Sequence, residues 1–267
     1  MSAKPLVYLI LGAAGSGRRE VLRDLIEDGL PETAQTRIIF SAAEAAGPDE
    51  EKLAALPRVK IERWNWEGEK EGRFITTEPI SEEVTHIFFV VDGRANPVDQ
   101  VEAFSNWLPQ QNAELGRVIT VVNCQLAEKH SPLLHWFEAC IHFSDVVLFN
   151  RREGVANKWL SDFQRHFDDQ YYPCLFEFVK AGRVKNPLLV LEPQARRLSQ
   201  VFDEHEVVVV DDIEIGVEIE GEEPDPEEEG EDPDDGLTIP EDPYFARRNG
   251  GRRSKEIPDL AKYLDQK

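Results

Sequence analysis

The sequence predicts a doubly wound α/β domain built on a mostly parallel sheet, and three observations carry that reading. Strand-like runs alternate with helical runs along residues 6–202. Ile87 to Val91 and Val146 to Phe149 are apolar at every position, as expected of parallel strands covered on both faces. A glycine-rich turn joins the first strand to the first helix, the junction at which such sheets bind ligands, beyond the carboxyl ends of their strands.

The expected strands are Leu6 to Leu11, Arg37 to Phe40, Val59 to Ile61, Arg73 to Thr77, His86 to Val91, Val118 to Asn123, Val146 to Asn150 and Cys174 to Val179. Helical spacing marks Gly17 to Asp28, Val98 to Leu108, Leu133 to Phe143, Ala156 to Phe167 and Pro193 to Phe202. Between them, Ser41 to Leu53 is rich in Ala, Glu, Gly and Pro and is expected to be a loop or a short helix.

Charge divides the chain of 267 residues, whose net charge is −22. Asp203 to Asp242 holds 20 acidic side chains and no Lys or Arg, whereas Tyr244 to Lys267 holds 7 basic and 3 acidic ones. Residues 1–202 are left with only −6. Four segments are therefore expected: a domain over 1–202, an edge hairpin at 203–219, an acidic disordered linker at 220–243 and a basic amphipathic segment at 244–267. Deleting Glu220 to Asp235 is expected to leave the melting temperature nearly unchanged. The basic segment is expected to dock on the domain or on a protein partner. The acidic tail repels nucleic acid and anionic membranes, so neither is an expected partner. Leu6 to Leu11 is too short for a signal-peptide core and no apolar run approaches membrane-spanning length, so a soluble, cytoplasmic protein is expected. Cys124, Cys140 and Cys174 are widely spaced and read as buried reduced thiols.

The glycine turn has the frame of a phosphate-binding loop. Residues 12–19 read Gly-Ala-Ala-Gly-Ser-Gly-Arg-Arg, a G-x-x-x-x-G frame whose usual Lys-Ser/Thr ending is Arg18-Arg19. In such a loop, glycines allow backbone amides to wrap phosphates at a helix N-terminus, the lysine reaches phosphate oxygens and the hydroxyl binds magnesium. Gly12, Gly15, Ser16, Gly17, Arg18 and Arg19 are thus the candidate phosphate-binding residues. Arg18 offers a bidentate fork to a β-phosphate and Arg19 a charge in place of part of the metal's, while the bland alternative has both pairing with Glu20 or Asp24.

Two families use such a turn. The dinucleotide-binding short-chain dehydrogenases have G-x-x-G-x-x-G, which Gly12 and Gly15 resemble, but Arg18 fills the third glycine position and Ser41 ends the second strand in place of an acid. Their Tyr-x-x-x-Lys pair has a match only at Tyr263 and Lys267. The P-loop GTPases gain more from later segments. Thr85 to Phe104 resembles the strand and switch of the CobW/HypB/UreG family, with Gly93, Ala95 and Pro97 matching its Gly-x-Ala-x-Pro and Val90, Val91 and Asp92 standing at its acidic and hydroxyl positions. Phe143 to Glu153 is similar to the strand bearing the base-reading Asn-Lys-x-Asp, with Asn150 kept, Arg151 for Lys and Glu153 for Asp. The resemblance spans residues 5–180. It implies a P-loop NTPase-like fold and a guanine nucleotide, GTP or GDP, as ligand, with Asn150, Arg151 and Glu153 at the base and Asp92 and Gly93 near magnesium.

The departures imply weak or absent hydrolysis, that is, a pseudo-GTPase. Arg19 replaces the magnesium hydroxyl and Val90 the acid, leaving Asp92 either to reach a magnesium-bound water or to cap the turn before Gly93. The family's Gly-Cys-x-Cys-Cys metal motif has no counterpart between Arg63 and Glu83, and the six histidines show no metal-ligand spacing, so no transition metal is expected. The five tryptophans read as core or interface anchors. Two other functions remain open: a non-enzymatic scaffold that recruits partners and no longer binds nucleotide, and an NAD(P) binder.

Overall fold

The computed structural model describes residues 4–68, 73–203 and 241–264. It has nine strands in one sheet: β1 (Leu6–Leu11), β2 (Thr36–Ser41), β3 (Val59–Glu67), β4 (Phe74–Thr76), β5 (His86–Val90), β6 (Glu114–Asn123), β7 (Val146–Asn150), β8 (Leu175–Lys180) and β9 (Arg183–Val184). The order across the sheet is β4-β3-β2-β5-β1-β6-β7-β8-β9. All neighbours pair in parallel except the outermost two pairs, β3 with β4 and β8 with β9. The helices are α1 (Arg18–Gly29), α2 (Pro48–Ala54), α3 (Pro97–Trp107), α4 (Cys124–Lys129), α5 (Leu134–His142), α6 (Asn157–Asp168), α7 (Pro187–Leu191) and α8 (Ala261–Leu264).

Side-chain alternation within the strands explains why both faces of the sheet are covered. Tyr8, Ile10, Phe88, Val90, Ile119 and Val121 point to one face, where Val21, Leu22 and Leu25 of α1, Leu53 of α2 and Val190 and Leu191 of α7 meet them. Leu9, Leu11, Phe89, Val122 and Phe149 point to the other, against Phe104 of α3, Phe137 of α5 and Phe163 of α6. The doubly wound expectation holds. Polar tips in these cores find partners: Tyr8 donates to the Leu191 carbonyl at 2.9 Å and the Trp64 indole to the Val90 carbonyl at 2.9 Å. Cys124, Cys140 and Cys174 are free and buried, and burial pushes the thiols of Cys124 and Cys174 up to about 12 and raises that of Cys140 well above its ordinary value.

Three local expectations need revision. Pro193 to Phe202 forms no helix, because its backbone donors are engaged elsewhere: Arg196 N donates to the Asp145 carboxylate at 2.6 Å and Ser199 N to the His142 carbonyl at 3.1 Å. The helix of this region is α7, begun by Pro187 and capped by Asn186, whose side chain accepts from Leu189 N. α4, absent from the expected elements, starts directly after β6, where Asn123 caps it by accepting from Leu126 N at 3.1 Å.

The segment 241–264 docks on the face formed by α3 and α5. Tyr244 lies against His142 and Phe143, and Leu260 is buried in the same core. Asp242 accepts from His142 Nε2 at 2.8 Å, from Ser199 Oγ at 2.5 Å and from Tyr244 N at 2.9 Å. Arg253 reaches Asp99 and Glu102 on α3, each at 2.6 Å. The edge hairpin expected at 203–219 and the acidic linker at 220–243 fall almost wholly outside the described residues.

Candidate functional site

The strand order creates a crevice where the candidate residues meet. After β1 the chain crosses to β2 and β3 before returning to place β5 against β1, and it then lays β6 on the other side of β1. Loops leaving the carboxyl ends of β1, β5 and β6 therefore diverge around one point, the usual ligand position in open α/β sheets. The loops after β2 and β7 open at the same edge. Glu44, on the loop after β2, and Asn150, at the end of β7, reach the glycine turn.

The turn takes a backbone shape that its glycines allow. Gly12, Gly15 and Gly17 have φ of 133°, 79° and 85°, values that side-chain-bearing residues rarely adopt. A Cβ on Gly12 would also lie 2.4 Å from the Val121 carbonyl oxygen. Gly17 precedes α1 in the left-handed conformation, and no side chain caps the helix. Ser16 is fully buried inside the turn, and its Oγ has no hydrogen-bond partner among the described residues. Ala14 N donates to the Gly93 carbonyl at 2.8 Å, tying the turn to the loop after β5.

Arg18 and Arg19 point into protein. Arg18 is only 5% exposed; its Nη1 donates to the Val91 carbonyl at 2.5 Å, and its Nη2 forms an ion pair with Glu44 Oε1. The same Glu44 oxygen accepts from Gly93 N at 2.7 Å. Arg19 pairs with Glu44 Oε2 at 3.4 Å and with Glu50 at 3.2 Å, and its guanidinium stacks 4.6 Å over the Phe40 ring. The acids that neutralise these arginines are thus Glu44 of the β2–α2 connection and Glu50 of α2 rather than Glu20 or Asp24. Nothing in the local sequence marks them, because the contact spans 26 residues and depends on how that connection folds back. Burial opposes the Glu44 charge, but Arg18, the Gly93 amide and Arg19 outweigh it and hold the carboxyl below its ordinary range.

Gly93 sits where no larger residue fits without movement, since a Cβ there would lie 2.4 Å from both Ala14 N and Arg18 Nη2. Asp92 Oδ1 accepts from Arg94 N at 2.9 Å, the turn-capping use, while Gln100 bonds the Asp92 amide at 2.6 Å. Val90 is buried beneath α1 in the core. The oxygens that would hold magnesium are therefore sparse: a cation stands at the loop's hydroxyl position, a buried valine at the strand's acidic one, and Asp92 has one oxygen engaged. This donor set fits magnesium poorly. Among the described residues, no group of three or more His, Cys, Asp or Glu side chains is placed to hold a metal ion, and no helix is long and apolar enough to cross a membrane.

The expected base-reading residues also turn toward the loop. Asn150 Nδ2 donates to the Ser16 carbonyl at 2.8 Å, and a Cβ on Gly17 would lie 2.3 Å from that nitrogen. Arg151, at φ 52°, bonds Glu20 at 2.8 Å. Glu153 has an exposed side chain, and its backbone carbonyl accepts from Gln125 at 2.7 Å. Beside the loop, on the outer flank of α1, a cavity of about 300 Å³ is lined by Arg19, Arg23, Asp24, Lys52 and Arg183. Its cations have carboxylate partners: Arg23 with Glu27, Lys52 with Asp49, and Arg183 with Asp24 and Asp28.

No protein-family model matches the chain, and no curated protein matches it. Among solved structures it is similar to the Zn(II)-bound YjiA GTPase from E. coli, with 13% identity, a TM-score of 0.39 and coverage of 73% of this chain and 67% of that one. A Zn(II)-bound triple mutant of the YjiA GTPase gives the same identity and coverages with a TM-score of 0.40.

Proposed function

We propose that the protein is a pseudo-GTPase: a P-loop-type domain, divergent from the CobW/HypB/UreG group, whose ligand is a guanine nucleotide and which does not hydrolyse it. The observation that carries this reading is the fate of Arg18. It stands where the loop lysine would reach phosphate, yet it is buried against the Val91 carbonyl and Glu44. Phosphoryl transfer depends on metal and positioned charge stabilising the transition state. Here Arg18 and Arg19 are neutralised by Glu44 and Glu50 and the magnesium donors are sparse, so the transition state has little to stabilise it. What remains is an uncapped helix N-terminus and a Ser16 hydroxyl with no partner among the described residues, which favour holding an anion.

A second reading, an interaction scaffold, is favoured by the docked 241–264 segment. Arg253 holds that segment on α3, where it can present a partner to the domain. Calorimetric titration with GDP, GTP and NADP, with and without magnesium, separates the readings. The pseudo-GTPase reading requires GDP binding that is largely independent of magnesium and lost in Arg18→Ala. No binding to any nucleotide supports the scaffold, and selective NADP binding would contradict both.

A further inference from the structure

We propose that Glu44 is a built-in competitor for the phosphate loop, its carboxylate occupying the position that a phosphate group of a nucleoside diphosphate must take before Arg18 can hold it. The inference rests on reading the glycine turn as a phosphate loop, and it names the residue that sets the loop's affinity.

The contacts of Glu44 are those of a bound anion. One carboxylate oxygen takes a backbone amide, Gly93 N at 2.7 Å, together with the Arg18 guanidinium. The other faces Arg19 at 3.4 Å. A backbone donor and two arginines converging on one buried carboxylate are the groups that would otherwise serve a phosphate. Both terminal nitrogens of Arg18 are engaged, Nη1 on the Val91 carbonyl and Nη2 on Glu44, so a phosphate that takes the place of the Nη2 contact must displace the carboxylate. If both stayed, two anions would face each other in a low-dielectric site.

The unused half of the cradle lies alongside. α1 is 12 residues long, its N-terminus has no side-chain cap, and the fully buried Ser16 Oγ has no partner among the described residues. That hydroxyl lies 3.2 Å from where a Cβ on Gly12 would stand, so it sits within the turn rather than on its outer surface. The loop thus holds an unspent donor beside a grip already filled by the chain's own acid.

Glu44 is also placed to leave. It lies on the connection between β2 and α2, anchored at its base by Glu44 N on the Ser41 carbonyl at 3.2 Å and Ala43 N on Ser41 Oγ at 3.2 Å. Swinging the side chain out breaks its own contacts but no strand pairing. Since Arg18, Gly93 and Arg19 keep the carboxyl ionised at neutral pH, release comes from competition by a stronger anion and not from protonation.

The test is titration of the full chain with inorganic phosphate and with GDP, for wild type, Glu44→Gln and Glu44→Asp. Glu44→Gln removes the competing charge and is expected to tighten both ligands at least tenfold; Glu44→Asp, which retracts the charge by one methylene and keeps the ion pair, gives a smaller gain and guards against a variant that does not fold. Adding Arg18→Ala to Glu44→Gln should abolish the gain. Equal affinity of wild type and either folded Glu44 variant overturns the proposal, as does a gain that survives loss of Arg18. Phosphate release from GTP is followed in the same samples: turnover by any variant contradicts the non-hydrolysing reading while leaving the competition intact.

Discussion

Arg18 and Glu44 form a buried pair in which each carries what the other needs, and their energetics differ from those of a surface ion pair. Exposed pairs contribute little, but removing one partner of a buried pair leaves an uncompensated charge. Glu44→Gln keeps the shape of the contact and loses the charge, so an equilibrium urea titration should show a loss of about 2 kcal/mol in the absence of phosphate. The pH dependence has a definite sign. The Glu44 and Asp242 carboxyls are both held below their ordinary range, Asp242 because bonds from His142, Ser199 and Tyr244 N outweigh its burial. Their contribution is therefore complete above the unfolded carboxylate range and is lost as pH falls through their depressed folded values. Thermal melts of wild type from pH 7 to pH 3 should show a steep acid limb, less steep in Asp242→Asn; an unchanged limb would remove Asp242 from the account. The identity of the loop glycines was legible in the sequence because their left-handed backbone and close contacts are local requirements. The partners of Arg18 and Arg19 were not, because pairing depends on a connection that folds back from 26 residues away.

Among the elements, the parallel sheet covered on both faces was readable from the unbroken apolar runs at Ile87 to Val91 and Val146 to Phe149. The misplaced helix shows the limit. Pro193 to Phe202 has helical spacing, but buried Asp145, which accepts from Val118 N at 2.7 Å and Arg196 N at 2.6 Å, draws that backbone away from helical pairing. Burial raises the Asp145 carboxyl despite these donors, so it contributes least to stability where it must be ionised. The docked 241–264 segment makes a separate prediction. Arg253 is almost buried between Asp99 and Glu102, and Leu260 is 1% exposed. Leu260→Ala should cost about 2–4 kcal/mol if the segment unfolds together with the domain. Hydrogen exchange reads the alternative: if Arg253→Ala speeds exchange only in residues 241–264, the segment detaches as an independent unit.

At the scale of the whole molecule, the sheet converges five loops on one crevice and then fills that crevice with the chain's own side chains. Asn150 binds the Ser16 carbonyl, Arg151 binds Glu20, and Arg18 binds Glu44 and the Val91 carbonyl, so the groups proposed to read a ligand also cement the fold. Asn150→Ala is accordingly expected to lower the melting temperature by several degrees, with the loss visible without any nucleotide present; a variant that melts like wild type would free Asn150 for ligand alone. The proposal that a loop so occupied does not turn over GTP is tested most directly by multiple-turnover phosphate release from GTP with magnesium, using wild type and Arg18→Ala. The predicted result is a rate equal to that of protein-free GTP in both. Saturable release by the wild type that disappears in Arg18→Ala would contradict it.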